Sequence, residues 1–171
     1  MQEYRKRVYP LYSTLKEKSR REPSLSKKWN KWYAWWFRGY LPERKDAAIL
    51  DVACGSGELL YFLRSRGYKN AVGVDISRQQ VDRAKRLIPE GVTHGDALEF
   101  LEQTSERFDL VIGVDIIEHW NKEEALHFLD ACRSSLRLGG RLLLVTPNAA
   151  GPMGMAVRYG DFTHETCYTP S

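Results

Sequence analysis

A run of twelve residues, ILDVACGSGELL at positions 49–60, constrains the fold more than any other part of the chain. It is typical of a buried strand, a glycine turn through Gly55 and Gly57, and the start of a helix. Two glycines two positions apart allow the backbone to approach a ligand closely, and the first turn of the following helix offers free N–H groups. The run therefore predicts an α/β domain that binds a nucleotide-like ligand at this loop.

A carboxylate in the same run narrows the chemistry of that ligand. Asp51 precedes Gly55 by four positions, and a negative charge there disfavours a pyrophosphate but attracts an ammonium or sulfonium group. The dinucleotide pattern G-x-G-x-x-G also fails, because its third glycine is replaced by Leu60. These features favour S-adenosylmethionine over NAD or FAD. A nucleotide-sugar or NAD-binding domain is the weaker alternative, and a G-x-G pair by itself also occurs as a plain turn.

Further apolar runs alternate with helical patterns and predict an open, mostly parallel Rossmann-like sheet of five strands with helices on both faces. Acidic residues follow the second, third and fourth strands: Asp75, Asp96 and Asp115. Because the carboxyl ends of parallel strands meet at one edge of a sheet, these acids should lie near Gly55. Asp75 suits a ribose diol and Asp96 an exocyclic amine such as that of adenine, although both also suit helix caps.

Together these motifs resemble class I S-adenosylmethionine-dependent methyltransferases, of the bacterial small-molecule or glycan type. The resemblance covers roughly positions 45 to 171 and rests on LDVACGSG, VGVD, GDA, FDLVIGVDIIEH and LRLGGRLLLVTPN. It implies a methionine site in the loop, a ribose site at the second strand and an adenine site at the third. Family members commonly carry glycine where this chain has Ala53. The cofactor-binding residues implied are Asp51, Ala53, Cys54, Gly55, Gly57, Asp75, Ile76, Asp96, Ala97 and Val114.

The resemblance also suggests three regions. Residues 1–45 form a basic, aromatic helical arm, residues 46–147 the cofactor domain, and residues 148–171 a loop on the substrate side. Similar family members continue for another helix and two more strands, so this chain looks shortened. The fifth strand would then be an open edge, which invites pairing with another chain. A homo-oligomer is therefore one hypothesis.

Ionisable residues after the fourth strand are the candidates for catalysis. If the acceptor is a hydroxyl, a base must remove its proton, and His119 is the first choice, with Asp115 beside it. Glu118 and His164 are second choices, and His119 could equally be structural. The pattern Asp-x-x-Glu-His resembles the metal site of ubiquinone-biosynthesis O-methyltransferases. The main expectation is a site without a metal. The secondary hypothesis is a divalent cation held by Asp115, Glu118 and His119.

The arm differs sharply from the rest of the chain in charge. Residues 1–45 contain 13 Lys and Arg against 4 Asp and Glu, and also four of the five Trp. A helical repeat predicts one broad aromatic face and one basic face. The aromatic face contains Leu25, Trp29, Trp32 and Trp36, with Tyr33, Phe37 and Tyr40 beside them, and the basic face contains Lys27, Lys28, Lys31 and Arg38. Packing on the cofactor domain, with a lid role compatible with it, is the favoured interpretation. An anionic membrane surface is an alternative, and nucleic acid is an unfavoured one.

The remaining composition indicates a cytoplasmic protein. The chain shows no signal peptide or spanning run, and its three cysteines lack metal or disulfide spacing. The expected function is methyl transfer from S-adenosylmethionine to a hydroxyl or amine of a small molecule or glycan. The alternative from another class is a non-catalytic cofactor-binding module that acts in assembly or regulation.

Overall fold

A computed structural model describes residues 4, 7–9 and 27–170. Helices and strands alternate along the described part of the chain, as the sequence predicts. None of the described helices is both long enough and apolar enough to span a bilayer. The elements are α1 (Lys27–Trp36), β1 (Ile49–Val52), α2 (Glu58–Ser65), β2 (Ala71–Asp75), α3 (Arg78–Leu87), β3 (Val92–His94), α4 (Ala97–Gln103), β4 (Phe108–Val114), a 3-10 helix (Ile117–His119), α5 (Lys122–Ser135), β5 (Leu136–Val145) and α6 (Gly154–Gly160).

The five strands form one sheet in the order β3-β2-β1-β4-β5, and every neighbouring pair is parallel. The predicted Rossmann-like sheet is confirmed. The strand order reverses at β1, which pairs with β2 on one side and with β4 on the other. In open parallel sheets, a crevice for ligands forms outside the carboxyl ends of the strands at this point. The glycine loop after β1 lies there.

Helices cover both faces of the sheet, as predicted. On one face α1, α2 and α3 pack over a cluster that includes Ile49, and on the other α4 and α5 pack over a cluster that includes Leu50 and Val52. Successive side chains of a strand point to opposite faces, so Asp51 faces the side of Ile49. A carboxylate thus enters an otherwise apolar layer, at the strand where the ligand crevice opens.

The last strand begins earlier than the sequence suggests. The apolar helical pattern that runs up to Gly139 and Gly140 predicts a helix that ends there and a strand from Arg141. In the structure α5 ends at Ser135 and β5 starts at Leu136. Gly139 has a φ of 78°, and the pairing with β4 shifts register between Phe108 and Leu110. The glycines therefore accommodate an irregularity inside the strand instead of ending the helix. β5 is one edge of the described sheet, and the homo-oligomer remains a prediction.

The arm helix α1 packs on the domain through part of the predicted aromatic face, and Trp36 also packs against the core there. Tyr33 and Phe37 are buried, and the Tyr33 ring lies 5.7 Å from the ring of Phe62 in α2. Trp32 was expected on the packed face and is exposed instead. The reason is that positions 33 and 37 share one side of the helix, which rotates Trp32 toward solvent. Leu25, the first residue of the predicted face, lies outside the described residues.

Candidate cofactor and acceptor site

The loop after β1 is held in left-handed backbone conformations. Ala53, Gly55 and Gly57 have φ values of 58°, 53° and 84°. A Cβ added at Gly57 would lie 2.9 Å from the Cβ of Ala84 in α3, whereas a Cβ added at Gly55 would meet nothing within 4 Å. Gly57 is thus required for packing between the loop and α3, and Gly55 faces open space from which a ligand can approach the backbone.

Asp51 brings an unusual buried charge to this loop. Its side chain is 2% exposed, and its Oδ2 accepts no hydrogen bond from any residue that the structure describes. Burial, and then repulsion from Asp75 and Glu58, raise the pKa of Asp51 well above its usual value. An orphaned carboxylate beside two others costs stability unless a cation compensates it. The site fits a ligand with a positive charge and disfavours a pyrophosphate.

Asp75 joins the end of β2 to the glycine loop. Its Oδ2 accepts a hydrogen bond from the Gly55 N–H at 2.8 Å, and its Oδ1 accepts one from the Ser77 N–H at 2.8 Å. Burial raises the pKa of Asp75 even though these two hydrogen bonds lower it. Ser77 caps α3 through the N–H of Gln80, so Asp75 is not the cap. The carboxylate stands where a ribose was predicted, and that role stays a prediction.

Asp96 is a helix cap, as one of its two interpretations predicted. Its Oδ1 accepts hydrogen bonds from the N–H groups of Leu98 and Glu99, at 2.8 and 3.1 Å, at the start of α4. The adenine role of Asp96 stays a prediction beside this one. The other residues expected around the cofactor follow strand ends: Cys54 is buried, and Ile76, Ala97 and Val114 are partly exposed.

Two residues that support the loop were missed from the sequence. A Cβ at Gly73 in β2 would lie 2.6 Å from Leu60 and 2.8 Å from the Cβ of Cys54, so only glycine lets the loop pack on β2. Glu58 at the start of α2 accepts a hydrogen bond from the Ser56 hydroxyl at 2.9 Å and adds to the negative potential at Asp51. An acid in the first turn of the helix after the glycines was the available signal for Glu58.

Among the ionisable residues predicted after β4, Asp115 lies in a different environment from Glu118 and His119. Asp115 has a φ of 52°, donates its N–H to the carbonyl of Val145 at 2.8 Å, and is exposed. Glu118 and His119 are buried in the 3-10 helix. The structure therefore leaves Asp115 at the surface after β4 and the Glu-His pair beneath the surface, where neighbouring side chains fix its geometry.

The segment after α6 folds back over the 3-10 helix. The N–H groups of Glu165 and Thr166 both donate to the carbonyl of Glu118, at 2.9 and 3.1 Å. The Tyr4 hydroxyl donates to the Glu165 carboxylate, and the Tyr9 ring lies 6.4 Å from the ring of His119. The tail and two tyrosines near the start of the chain thus form one compartment around His119.

A chain of hydrogen bonds reaches His119 from the tail. The Thr163 hydroxyl donates to Oδ1 of Asp161 at 2.6 Å, and the Thr163 Oγ1 lies 2.8 Å from Nδ1 of His119. The single hydroxyl proton points to Asp161, so Thr163 accepts from His119, whose Nδ1 carries the proton. The neutral imidazole then has its lone pair on Nε2. Asp161 and Thr163 were not among the predicted residues.

The same compartment contains a set of metal-ligating groups. One ligand atom each of Glu118, His119 and His164 lies within 4.8 Å of the others. Glu118 also accepts a hydrogen bond from the Thr146 hydroxyl at 3.0 Å. A carboxylate with two imidazoles fits a divalent transition metal. The secondary hypothesis had named Asp115 as the third ligand, and the structure groups His164 with the Glu-His pair instead.

Comparison with known proteins agrees with this geometry. The family model of a methyltransferase domain matches residues 49–140. A ubiquinone biosynthesis O-methyltransferase of Cereibacter sphaeroides is 32% identical over 104 residues, 58% of this chain and 41% of that protein. A tRNA U34 carboxymethyltransferase of Pseudoalteromonas atlantica is 28% identical over 127 residues, 71% of this chain and 38% of that protein.

A solved structure is similar over most of the described fold. The crystal structure of a SAM-dependent methyltransferase from Archaeoglobus fulgidus superposes with a TM-score of 0.73 and 26% identity, and covers 93% of this chain and 68% of that one. The chain spans about two fifths of the length of the curated relatives described above. The family match covers more than half of the chain and includes the glycine loop, β2 and β4. The chain belongs to the methyltransferase domain family and has the class I S-adenosylmethionine-dependent methyltransferase fold.

Proposed function

We propose that this domain transfers a methyl group from S-adenosylmethionine to a hydroxyl, or an amine, of a small molecule or glycan. The observation that carries the proposal for the acceptor is the hydrogen-bonded chain from Asp161 through Thr163 to His119. It supports His119 as the base that removes the acceptor proton. The expected cytoplasmic location and the homo-oligomer rest on the sequence alone and belong to the same proposal.

On the cofactor side, the chain's own carboxylates account for binding. Asp51 attracts the ammonium of the methionine moiety, and Asp75 accepts hydrogen bonds from the ribose hydroxyls. Gly55 leaves its backbone open to the ligand, while Ile76, Asp96 and Ala97 border the adenine. When bound, the cofactor supplies a methyl group already activated by its sulfonium. These residues thus need only bind and orient the cofactor.

On the acceptor side, the direction of the hydrogen bonds supports Nε2 of His119 as the proton acceptor. Thr163 and Asp161 hold the proton of His119 on Nδ1, so Nε2 is the atom that accepts a proton from the substrate. His119 is only 8% exposed, which suits a small acceptor group better than a broad surface. Asp115, which is exposed directly after β4, would contact the acceptor.

A bound metal is the rival role for this compartment. Glu118, His119 and His164 would hold a divalent cation, which would orient an acceptor such as a catechol and lower the pKa of its hydroxyl. His119 would then act as a ligand and would not take the acceptor proton. Turnover that persists in EDTA supports His119 as the base, and turnover restored by added Mn²⁺ or Zn²⁺ after EDTA supports the metal.

The test separates binding from turnover. Calorimetry with S-adenosylmethionine, S-adenosylhomocysteine and NAD should show binding of the first two only. Release of S-adenosylhomocysteine is then measured with a panel of phenols, catechols, aryl amines and monosaccharide glycosides. Binding without turnover on any acceptor would favour the non-catalytic module. Binding of NAD in place of S-adenosylmethionine would remove the proposal altogether.

A matched pair of threonine variants tests the role of His119. Thr163→Val removes the hydroxyl that lies 2.8 Å from Nδ1 and leaves only the more distant Thr163 carbonyl, at 3.3 Å from Nδ1. Thr166→Val removes a hydroxyl from the same tail that donates to the Trp120 carbonyl. We expect Thr163→Val to lower kcat about 100-fold with an unchanged cofactor Kd, and Thr166→Val to leave kcat nearly unchanged. Nitrogen-15 NMR of His119 should show a protonated Nδ1 in the wild type and a mixture of tautomers only in Thr163→Val. Equal kcat in both variants contradicts the role.

A further inference from the structure

The outer side of α1 exposes two large aromatic side chains. Trp35 is 69% exposed and Trp32 is 44% exposed, and their rings meet edge to face at 6.3 Å between centroids. Tyr33 and Phe37 on the opposite side of the helix are buried against the domain. Indole side chains seldom remain in water without a partner of mixed polarity. The exposed pair is therefore a candidate interaction surface.

The segment of the chain that contains this pair carries only positive charges. The sequence contains no acidic residue between positions 23 and 42, although four Lys and Arg occur there. Lys31 precedes Trp35 by four positions within α1, so helical spacing brings it near the indole. Arg38 lies in the turn that follows α1, and its N–H donates to the carbonyl of Trp35 at 3.4 Å. Lys31 and Arg38 are exposed. We call Lys31, Trp32, Trp35 and Arg38 the outer face of α1.

We propose that the outer face of α1 docks on an anionic lipid surface. Indoles prefer the boundary between lipid headgroups and acyl chains, and flanking cations bind anionic headgroups. The face is the convex side of a helix, so it offers no groove for an extended strand or a nucleotide. Trp32 and Trp35 also occupy part of each other's ring surface, which reduces the area open to base stacking.

The proposal extends beyond the proposed function and does not depend on it. The outer face contains none of the residues assigned to the cofactor or to the acceptor. The buried side of α1 packs on α2, the helix that follows the glycine loop. Docking of α1 would therefore hold the whole domain at the lipid surface without rearranging the site.

The experiment measures cosedimentation of the full chain with vesicles of phosphatidylcholine, with and without phosphatidylglycerol. We expect binding only to the anionic vesicles, and weaker binding at high salt. Trp35→Ala should lower the partition coefficient about tenfold, and Lys31→Gln about fivefold, the effect of one basic side chain at such a surface. The matched control is Leu138→Ala, which truncates a fully exposed apolar side chain on β5.

Trp35 and Lys31 are exposed, so we expect their variants to fold normally. Circular dichroism melting of each variant checks this. Equal binding to neutral and anionic vesicles would contradict the proposal. So would equal losses in Trp35→Ala and Leu138→Ala. Retention on single-stranded RNA, lost in Trp35→Ala, together with no vesicle binding, would overturn it in favour of nucleic acid.

Discussion

The glycine loop after β1 and the compartment around His119 lie after neighbouring strands but are built in different ways. The loop depends on backbone conformation, since Ala53, Gly55 and Gly57 all have positive φ within five residues. The compartment depends on side chains brought together over long distances in sequence, such as Thr163 and His119, 44 positions apart. Substitutions in the loop should therefore act mainly on stability and cofactor affinity, and those in the compartment mainly on turnover.

The two regions also differ in how their charges are satisfied. Asp51 is buried without a partner for Oδ2 among the described residues, and two further carboxylates repel it. Asp161, by contrast, accepts hydrogen bonds from both the N–H and the hydroxyl of Thr163. The cofactor half is thus held in an unfavourable state that a cation relieves. The compartment around His119 is instead held in one arrangement by hydrogen bonds within the protein.

The largest effect should come from the two glycines of the loop. Gly57→Ala places a Cβ 2.9 Å from that of Ala84 and forces φ of 84° on alanine, and we expect a loss of about 3 kcal/mol in unfolding free energy. Gly55→Ala has the same backbone penalty without the clash, so about 1 kcal/mol is expected. Thermal and urea unfolding measure both. Equal losses would mean that packing against α3 does not restrict position 57.

The second effect separates affinity from stability at Asp51. Asp51→Asn removes a buried, uncompensated charge, so the ligand-free protein should gain about 1 kcal/mol or more. The same change should weaken S-adenosylmethionine binding roughly 10- to 100-fold, the value of a charge-assisted contact. Calorimetry and thermal unfolding give the two quantities. Asp109→Asn is the control, because that carboxylate is paired with Arg137 on the surface away from the loop. A variant that loses both stability and affinity would contradict the electrostatic explanation.

A pH dependence follows from the same residue. In the folded protein the pKa of Asp51 is raised well above its usual value of 3.8. Between these two pKa values the ligand-free folded state keeps a proton on Asp51 that the unfolded chain releases. Its unfolding free energy should therefore fall as pH rises from about 4 toward the raised pKa. S-adenosylmethionine affinity should rise over the same window, since the ammonium prefers the ionised carboxylate. The difference between wild type and Asp51→Asn isolates this group from Asp75. If the unfolding free energies of the two proteins changed in parallel with pH, Asp51 would not be the source of the pH dependence.

These contrasts explain which parts of the site the sequence could predict. Asp75, Asp96 and Asp115 follow apolar runs, and the geometry of a parallel sheet brings strand ends together whatever the rest of the chain does. The same rule also applies to Thr146, because Thr146 directly follows β5. Thr163 could not be found this way, because its contact with His119 depends on how the tail folds back.

The part of the broad aromatic face of α1 that is buried could not be predicted, for a related reason. Aromatic residues occupy positions 29, 32, 33, 35, 36 and 37, so nearly every side of the helix is a plausible apolar face. Only contact with Phe62 decides that Tyr33 and Phe37 turn inward. Similarly, the glycines before Arg141 predicted a helix end, while pairing of Leu136 with Phe108 starts the strand earlier.

The smallest effect concerns Ala53, the one position where the loop departs from the glycine common in the resembling family. Its φ of 58° is a conformation that costs alanine about 1 kcal/mol, and glycine adopts it without strain. Ala53→Gly should therefore raise the unfolding free energy by up to about 1 kcal/mol, offset in part by the greater freedom of glycine in the unfolded chain. Ala131→Gly in α5, where the backbone is helical, should lower it by about 1 kcal/mol. If Ala53→Gly is destabilising too, the methyl group of Ala53 contributes packing that outweighs the backbone strain, and the loop is less governed by its backbone than the comparison with the His119 compartment implies.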